Sequence, residues 1–175
     1  MVAVGTELSR RSFLGSTTAL VGAAPALALG GARRADEIRV GLIGCGRRGT
    51  GAAAQALAAD PDVRLVAMAD AFADQIEDSL KALARLPEVA DRVAVEERRF
   101  VGLEAYQALL ACEVDVVLLA TPPHFRPLHL AAAIQAGKHA FAEKPVAVDA
   151  RGVRSVLATT ELARTKGLSI LSGLN

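Results

Sequence analysis

Past residue 37, short apolar runs alternate with longer stretches in which apolar residues recur every three or four positions. Ile38–Ile43 is an apolar run halted by a glycine cluster, which predicts a buried strand. Arg47–Ala59 is packed with alanine and predicts a helix that lies close to a sheet. Val63–Ala69 predicts a second strand, ending at Asp70. Ile76, Leu80 and Leu83 share a helical stripe, and Pro87 marks the end of that helix. A third strand is expected near Arg99–Val101, then a helix over Leu103–Ala111. Val114–Ala120 (VDVVLLA) is the most strand-like stretch of the chain. Pro127 suits the first turn of a helix running to Ala136, with Gly137 as its stop. His139–Ala142 is a fifth strand. Asp149 caps a helix reaching about Lys166, Gly167 follows it, and Leu168–Leu171 is a sixth strand. Six strands with five intervening helices predict an α/β fold, a doubly wound parallel sheet.

Composition narrows the class. The chain has 175 residues, enough for one domain with a real core. A net charge of +1 and 3% aromatic content argue against a nucleic-acid binder, which shows a basic face and stacking rings. Cys45 and Cys112 make no disulfide framework, and no Cys/His cluster has zinc spacing, so no metal site is expected.

The N-terminus has a different character. Ser9-Arg10-Arg11-Ser12-Phe13-Leu14 is a twin-arginine pattern, followed by an uncharged apolar run from Ser16 to Gly31 that Pro25 interrupts. That run is weak for a membrane span, which needs about 20 strongly apolar residues. Ala26 and Ala28 form an A-x-A cleavage site. Residues 1–28 are therefore expected to be a twin-arginine signal peptide, 29–37 a linker and 38–175 a folded domain. The plainer alternative is an uncleaved apolar helix. Export to the periplasm or another extracytoplasmic space follows, with cofactor collected beforehand in the cytoplasm. Losing Glu7, Arg10 and Arg11 leaves the remainder formally neutral, so no steering towards polyanions is expected.

Gly44-Cys45-Gly46-Arg47-Arg48-Gly49 is G-x-G-x-x-G, placed after a predicted strand and opening a predicted helix. Asp70 ends the next strand at the distance the dinucleotide fingerprint requires. Gly44 would make the tight turn, Gly46 would admit a pyrophosphate, and Gly49 would let helix and strand pack closely. The helix N-terminus would hold the anion. The alternative is a tight turn without a ligand. The Asp70 carboxylate would accept from ribose hydroxyls and repel a 2′-phosphate, and Ala71, Phe72, Ala73 and Asp74 bring no compensating base. NAD is favoured over NADP. Arg47 and Arg48 either neutralise the pyrophosphate or stay solvated. Cys45 reads as a space-filler, and Cys112 as a residue at a helix end.

Ala120-Thr121-Pro122-Pro123-His124 and Ala142-Glu143-Lys144-Pro145 follow the fourth and fifth strands, at the sheet edge where ligands bind. Taken alone, Glu143–Lys144 would read first as a surface ion pair and His124 as a loop cap. The order G-x-G-x-x-G, A-T-P-P-H, A-G-K-H-x-F-A-E-K-P resembles the Gfo/Idh/MocA oxidoreductases over residues 38–175. The stretch Ala136–Pro145 is the most specific part. The resemblance implies a Rossmann domain in which Lys144 is catalytic, stabilising charge on the substrate oxygen beside the nicotinamide. It implies that Glu143 positions the lysine, that Pro145 is often cis, and that Thr121 and Pro122 border the nicotinamide ribose. His124 is counted with this cofactor loop. Relatives commonly carry a His where this chain has Arg126. His129 and His139 are expected to be structural.

The resemblance also implies a C-terminal α/β domain that supplies the catalytic base, the sugar pocket and the homo-oligomer contacts. That domain is absent from the sequence, which is expected to be a fragment that turns over poorly by itself. The leading expectation is the NAD-binding domain of an exported oxidoreductase acting on a sugar, cyclitol or similar polyol, with neither nucleic acid nor membrane as partner. The alternatives are an NAD-dependent glycoside hydrolase and a non-catalytic dinucleotide sensor, which would show no exposed apolar face. A methyltransferase has no evident use for E-K-P.

Overall fold

The computed structural model describes residues 37–173. The expected signal peptide, most of the linker, and residues 174 and 175 lie outside them. The described residues fall in the second of the chain's two units, Arg34–Asn175.

Twelve elements follow one another: β1 (Ile38–Ile43), α1 (Arg47–Ala59), β2 (Val63–Asp70), α2 (Ala73–Ala84), a 3-10 turn (Ala90–Arg92), β3 (Arg99–Val101), α3 (Ala105–Ala111), β4 (Val116–Leu119), α4 (Arg126–Gln135), β5 (His139–Ala142), α5 (Ala150–Thr165) and β6 (Ile170–Ser172). The sheet is parallel throughout, in the order β3-β2-β1-β4-β5-β6. It is the doubly wound arrangement the alternation predicts.

Both faces of the sheet are covered, which is why its two central strands carry apolar runs, Val40–Ile43 in β1 and Val116–Leu119 in β4. Val40, Leu42, Leu65, Met68 and Leu118 pack with Leu57 of α1 and with Ile76 and Leu83 of α2. Ile43, Val66, Val117, Leu119 and Ala140 pack against α3, α4 and α5. A register shift between Val40 and Gly41 inserts Val66 as an extra residue in β2, so Leu65 and Met68 share a face although three positions apart. The sheet ends differently at β6. Leu171 pairs in register with Phe141, which packs against the α1–α2 layer, yet Leu171 is exposed.

Several boundaries differ from expectation, each for a local reason. β4 begins at Val116 because the Asp115 carboxylate takes the Arg39 backbone N–H at 2.9 Å, in place of a main-chain carbonyl, and accepts from the Arg39 guanidinium as well. β6 begins at Ile170 because Leu168 N–H still donates to Ala163 O of α5, and Ser169 N–H donates to Nδ1 of His139. That last bond is the structural role of His139. α4 begins at Arg126, with Pro127 second. α2 stops three residues short of Pro87, and α3 starts at Ala105. Gly137 and Gly167 carry positive φ after their helices, as stops should.

Candidate dinucleotide site

The glycine loop is built by close approach. Gly44 has φ of +94°, and a Cβ there would lie 2.6 Å from the Thr121 nitrogen. A Cβ on Gly49 would lie 1.8 Å from Gly44 O, so α1 can start against the turn only without a side chain. Gly46 differs: its Cβ would meet nothing nearer than Gln75 Oε1 at 3.7 Å. The absent side chain there leaves open space above the start of α1. That helix has no side-chain cap and no acidic residue in its first turn, so its N–H groups and positive dipole end face this space. Thr50 steadies the loop from below, its Oγ1 lying 3.1 Å from both Cys45 O and Gly46 O and 2.8 Å from Ser79 Oγ.

Asp70 does more than await a ribose. Its Oδ2 accepts from Cys45 N–H at 2.6 Å and its Oδ1 from Phe72 N–H at 3.0 Å. The carboxylate therefore joins the glycine loop to the end of β2 by charge-assisted bonds. Each oxygen keeps a further lone pair for a ligand hydroxyl. Cys45 is buried, and burial followed by the Asp70 charge pushes its thiol pKa far up, so it is a space-filler and not a nucleophile.

A cavity of about 670 Å³ opens at the carboxyl ends of the strands, where the order reverses between β1 and β4. Gly44, Gly46, Asp70, Thr121 and Pro122 line it, and so does Arg126. Its size and place suit a dinucleotide. The open space at Gly46, the uncapped helix start and the Asp70 carboxylate fit the phosphates and ribose of that ligand. Among the described residues no group of three or more His, Cys, Asp or Glu could hold a metal ion, and no helix is long and apolar enough to cross a membrane.

The floor under Thr121 is an imidazole. His129 Nδ1 lies 3.1 Å from Thr121 Oγ1, and its ring packs 4.5 Å from Tyr106 and 6.0 Å from Phe125. Burial pushes its pKa down to about 4, so it is neutral at pH 7. This is the structural role expected of it.

Arg48, Glu143 and His124 depart from the places a local reading gave them, and Arg126 takes a place that reading had not given it. Arg48 lies on Glu143, with Nε donating to Oε1 at 2.7 Å and Nη2 to the same oxygen. It does not line the cavity, and its partly exposed side chain is ion-paired, not free in solvent. Glu143 is only 2% exposed, so Glu143–Lys144 is not a surface ion pair. His124 lies outside the cavity, because the Pro122–Phe125 turn (Phe125 N–H to Pro122 O, 3.0 Å) directs it towards a shallow groove with Pro127 and Asp149. Arg126 is buried at 6% exposure, its Nη1 donating to Pro145 O and its Nε without a hydrogen-bond partner. Burial lowers the Arg126 pKa, and the Glu143 charge opposes that shift. Arg47 is exposed at the head of α1. Lys144 is exposed beside the buried Glu143, and the Lys144–Pro145 peptide is cis.

Sequence reasoning missed Thr50 with Ser79, and it left Arg126 without a role. One signal for Arg126 was present. A cation at the first position of a helix opposes the macrodipole and needs a reason.

Comparison with known proteins agrees with this geometry. The model of the oxidoreductase family, NAD-binding Rossmann fold, of Gfo/Idh/MocA type, matches residues 38–172. Inositol 2-dehydrogenase of Rhizobium meliloti is 33% identical over 129 residues, 74% of this chain and 34% of that protein. A glycosyl hydrolase family 109 protein of Streptomyces coelicolor is 33% identical over 128 residues, 73% of this chain and 26% of that protein. KijD10, a 3-ketoreductase from Actinomadura kijaniata solved in complex with NADP and TDP-benzene, matches with a TM-score of 0.58 at 28% identity, over 78% of this chain and 37% of its own. The chain thus spans 26 to 37% of the length of these relatives. With the fingerprint, the switch-point cavity and the family match in agreement, the chain belongs to the Gfo/Idh/MocA oxidoreductase family, as its NAD(P)-binding Rossmann domain.

Proposed function

We propose that this chain is the NAD-binding domain of an oxidoreductase that moves a hydride between a sugar or cyclitol carbon and nicotinamide. The observation that carries the reading is Asp70, which ties the glycine loop to β2 while lining the cavity. A carboxylate there favours ribose hydroxyls over a 2′-phosphate, so NAD is preferred to NADP. When bound, the nicotinamide supplies the hydride acceptor or donor. Lys144, exposed at the carboxyl edge, donates to the substrate oxygen and stabilises its developing charge. The proton of a carbinol needs a base as well, which we assign to a further domain of the longer protein, together with the sugar pocket and homo-oligomer contacts. Exposed apolar side chains on α4, α5 and β6, Leu128, Val153, Leu157 and Leu171, support such a docking partner over a free-standing sensor. The S-R-R-x-F-L leader supports export of the folded protein by the twin-arginine route.

The test is calorimetric titration of residues 29–175 with NAD and NADP, repeated on Asp70→Ala. NAD binding that weakens about tenfold or more in the variant is expected, the scale of a lost hydrogen bond to a charged group. Equal or tighter binding of NADP overturns the cofactor preference. Binding of neither, by a sample that circular dichroism shows to be folded, overturns the domain's role. Export is tested by fusing residues 1–37 to a folded reporter, where Arg10→Lys with Arg11→Lys should abolish transport.

The glycosyl hydrolase relative favours a second reading, in which bound NAD is reduced and reoxidised within one turnover. In the longer protein, cleavage of a glycoside without net NADH would decide for it.

A further inference from the structure

Arg126 occupies a position that two rules disfavour. It is the first residue of α4, where the helix dipole repels a cation, and no acidic residue in that first turn relieves it. It is also buried, which lowers its pKa by desolvation, and arginine is rarely buried unless it is paired. What compensates lies on the loop after β5. The guanidinium donates through Nη1 to Pro145 O, and the buried Glu143 carboxylate is near enough to oppose the pKa shift. Pro145 and Glu143 are the two neighbours of Lys144 in sequence.

The tethers around Lys144 come from three elements. Glu143 N–H donates to Leu119 O at the end of β4, at 3.0 Å. The Glu143 carboxylate accepts from Arg48 in the first turn of α1. Pro145 O accepts from Arg126 in the first turn of α4. Lys144 itself stays exposed between two fixed neighbours. Arg126 lines the same cavity as the glycine loop, so it contacts both the ligand space and the loop that carries the lysine.

We infer that Arg126 is a positioning residue for Lys144. It fixes the Lys144–Pro145 turn so that the ammonium is presented to the nicotinamide end of the cavity. This inference rests on the proposed role of Lys144. Removing the guanidinium frees the turn and scatters the ammonium, while the glycine loop and Asp70, which hold the adenosine and phosphates, stay intact.

Four lysines make the test specific: Lys81, Lys138, Lys144 and Lys166. Lys81 pairs with Glu77 and Asp78 on α2, while Lys138 and Lys166 donate to backbone carbonyls, so these three are internal references. The full chain is labelled with an amine-acylating reagent, with and without saturating NAD, and each lysine is read by mass spectrometry. NAD should slow acylation of wild-type Lys144 by about fivefold, with the references unchanged. In Arg126→Met, with NAD raised until calorimetry shows that variant saturated, protection of Lys144 should fall below about twofold. Arg126→Lys, which retains a donor and the charge beside Glu143, should restore part of the protection. Should Arg126→Met fail to fold, Arg126→Gln replaces it with the same expected loss, because its shorter arm cannot reach Pro145 O.

Full protection in a variant that binds NAD normally overturns the inference. Protection of Lys144 that returns to the wild-type level once the variant is saturated with NAD also overturns it, since Arg126 would then act on cofactor binding itself. Absence of protection in the wild type, with NAD binding shown by calorimetry, overturns the role of Lys144 and this inference together. A purely structural Arg126 would move the melting temperature and leave the ratio of Lys144 to Lys81 labelling unchanged.

Discussion

Helices α1 and α5 begin in opposite ways. α5 closes its own start: Asp149 takes an extended backbone at the cap, and its Oδ1 accepts from Gly152 N–H at 2.6 Å. α1 begins at Gly46 with no side-chain cap. Both helices follow strands of one parallel sheet, so topology does not explain the difference. The residue at the cap does. A carboxylate takes up a first-turn amide from within, and its charge opposes an anion at that helix start. A glycine leaves those amides, and the volume above them, to a ligand. The side chain that would fill the space at Gly46 is missing, whereas a Cβ on Gly152 would already meet Ala147 at 2.9 Å. An open helix start is therefore informative only beside an open volume.

The sharpest way to break this contrast is at Gly49. Its Cβ would stand 1.8 Å from a backbone oxygen, which no rotamer change relieves. Gly49→Ala should destabilise the domain by about 3 kcal/mol or more, at the upper end of overpacking costs, and abolish NAD binding. Urea unfolding and calorimetry read the two effects. A variant that folds and binds normally would mean that α1 does not start against Gly44.

The floor of the open side titrates. His129 is neutral in the fold, with its pKa pushed down to about 4 by burial. Unfolded, it returns to about 6.5, so between those values the unfolded state binds the extra proton. Its contribution is complete above pH 6.5 and is lost as pH falls through 4, by up to about 3 kcal/mol. The urea midpoint of wild type should fall over that window. His129→Gln, which has no imidazole to protonate, should lack this component and converge on wild type as the pH drops. A constant difference between the two would place the proton elsewhere.

How much of this was legible follows from distance along the chain. The glycine loop and Asp70 lie within one strand–helix–strand unit, and each member's residue type is dictated by sterics or charge at a fixed spacing. The pattern alone therefore located them. Arg48 and Glu143 meet across 95 positions, and Thr50 and Ser79 across 29. Such pairs leave no periodic trace, because either partner viewed locally is an ordinary polar residue on a helix or loop. Arg48 could thus be assigned only between phosphate and solvent, and its actual partner was a carboxylate that looked like half of a surface pair. The strand boundaries show the same limit on a smaller scale. Val114 and Leu168 are apolar enough to extend β4 and β6, but Asp115 diverts one ladder, and the end of α5 together with His139 diverts the other.

Gly46→Ala sharpens the contrast by filling the opening without touching the protein. The φ of −63° suits alanine, and its Cβ would have 3.7 Å of clearance. Stability should change by less than about 1 kcal/mol, the scale of a poorer cap residue. NAD affinity should fall about tenfold, because the methyl occupies the space in which the backbone meets the pyrophosphate. Unchanged affinity would mean that the phosphates pass elsewhere.

Asp149→Ala is the converse and the smallest effect. It removes the acceptor for Gly152 N–H and should lower stability by about 1 kcal/mol, the usual cost of losing a side-chain cap. Cofactor binding should be unaffected, since Asp149 faces a separate shallow groove with His124 and Arg151. The two alanine variants then form a crossed pair: at α1 the added methyl lowers affinity more than stability, and at α5 the lost carboxylate lowers stability alone. If Asp149→Ala also weakened NAD binding, the start of α5 would be coupled to the cavity, most directly through α4, where Pro127 touches the space above Gly152. The difference between the two helix starts would then be one of degree, and the tethered loop between β5 and α5 would be the element connecting them.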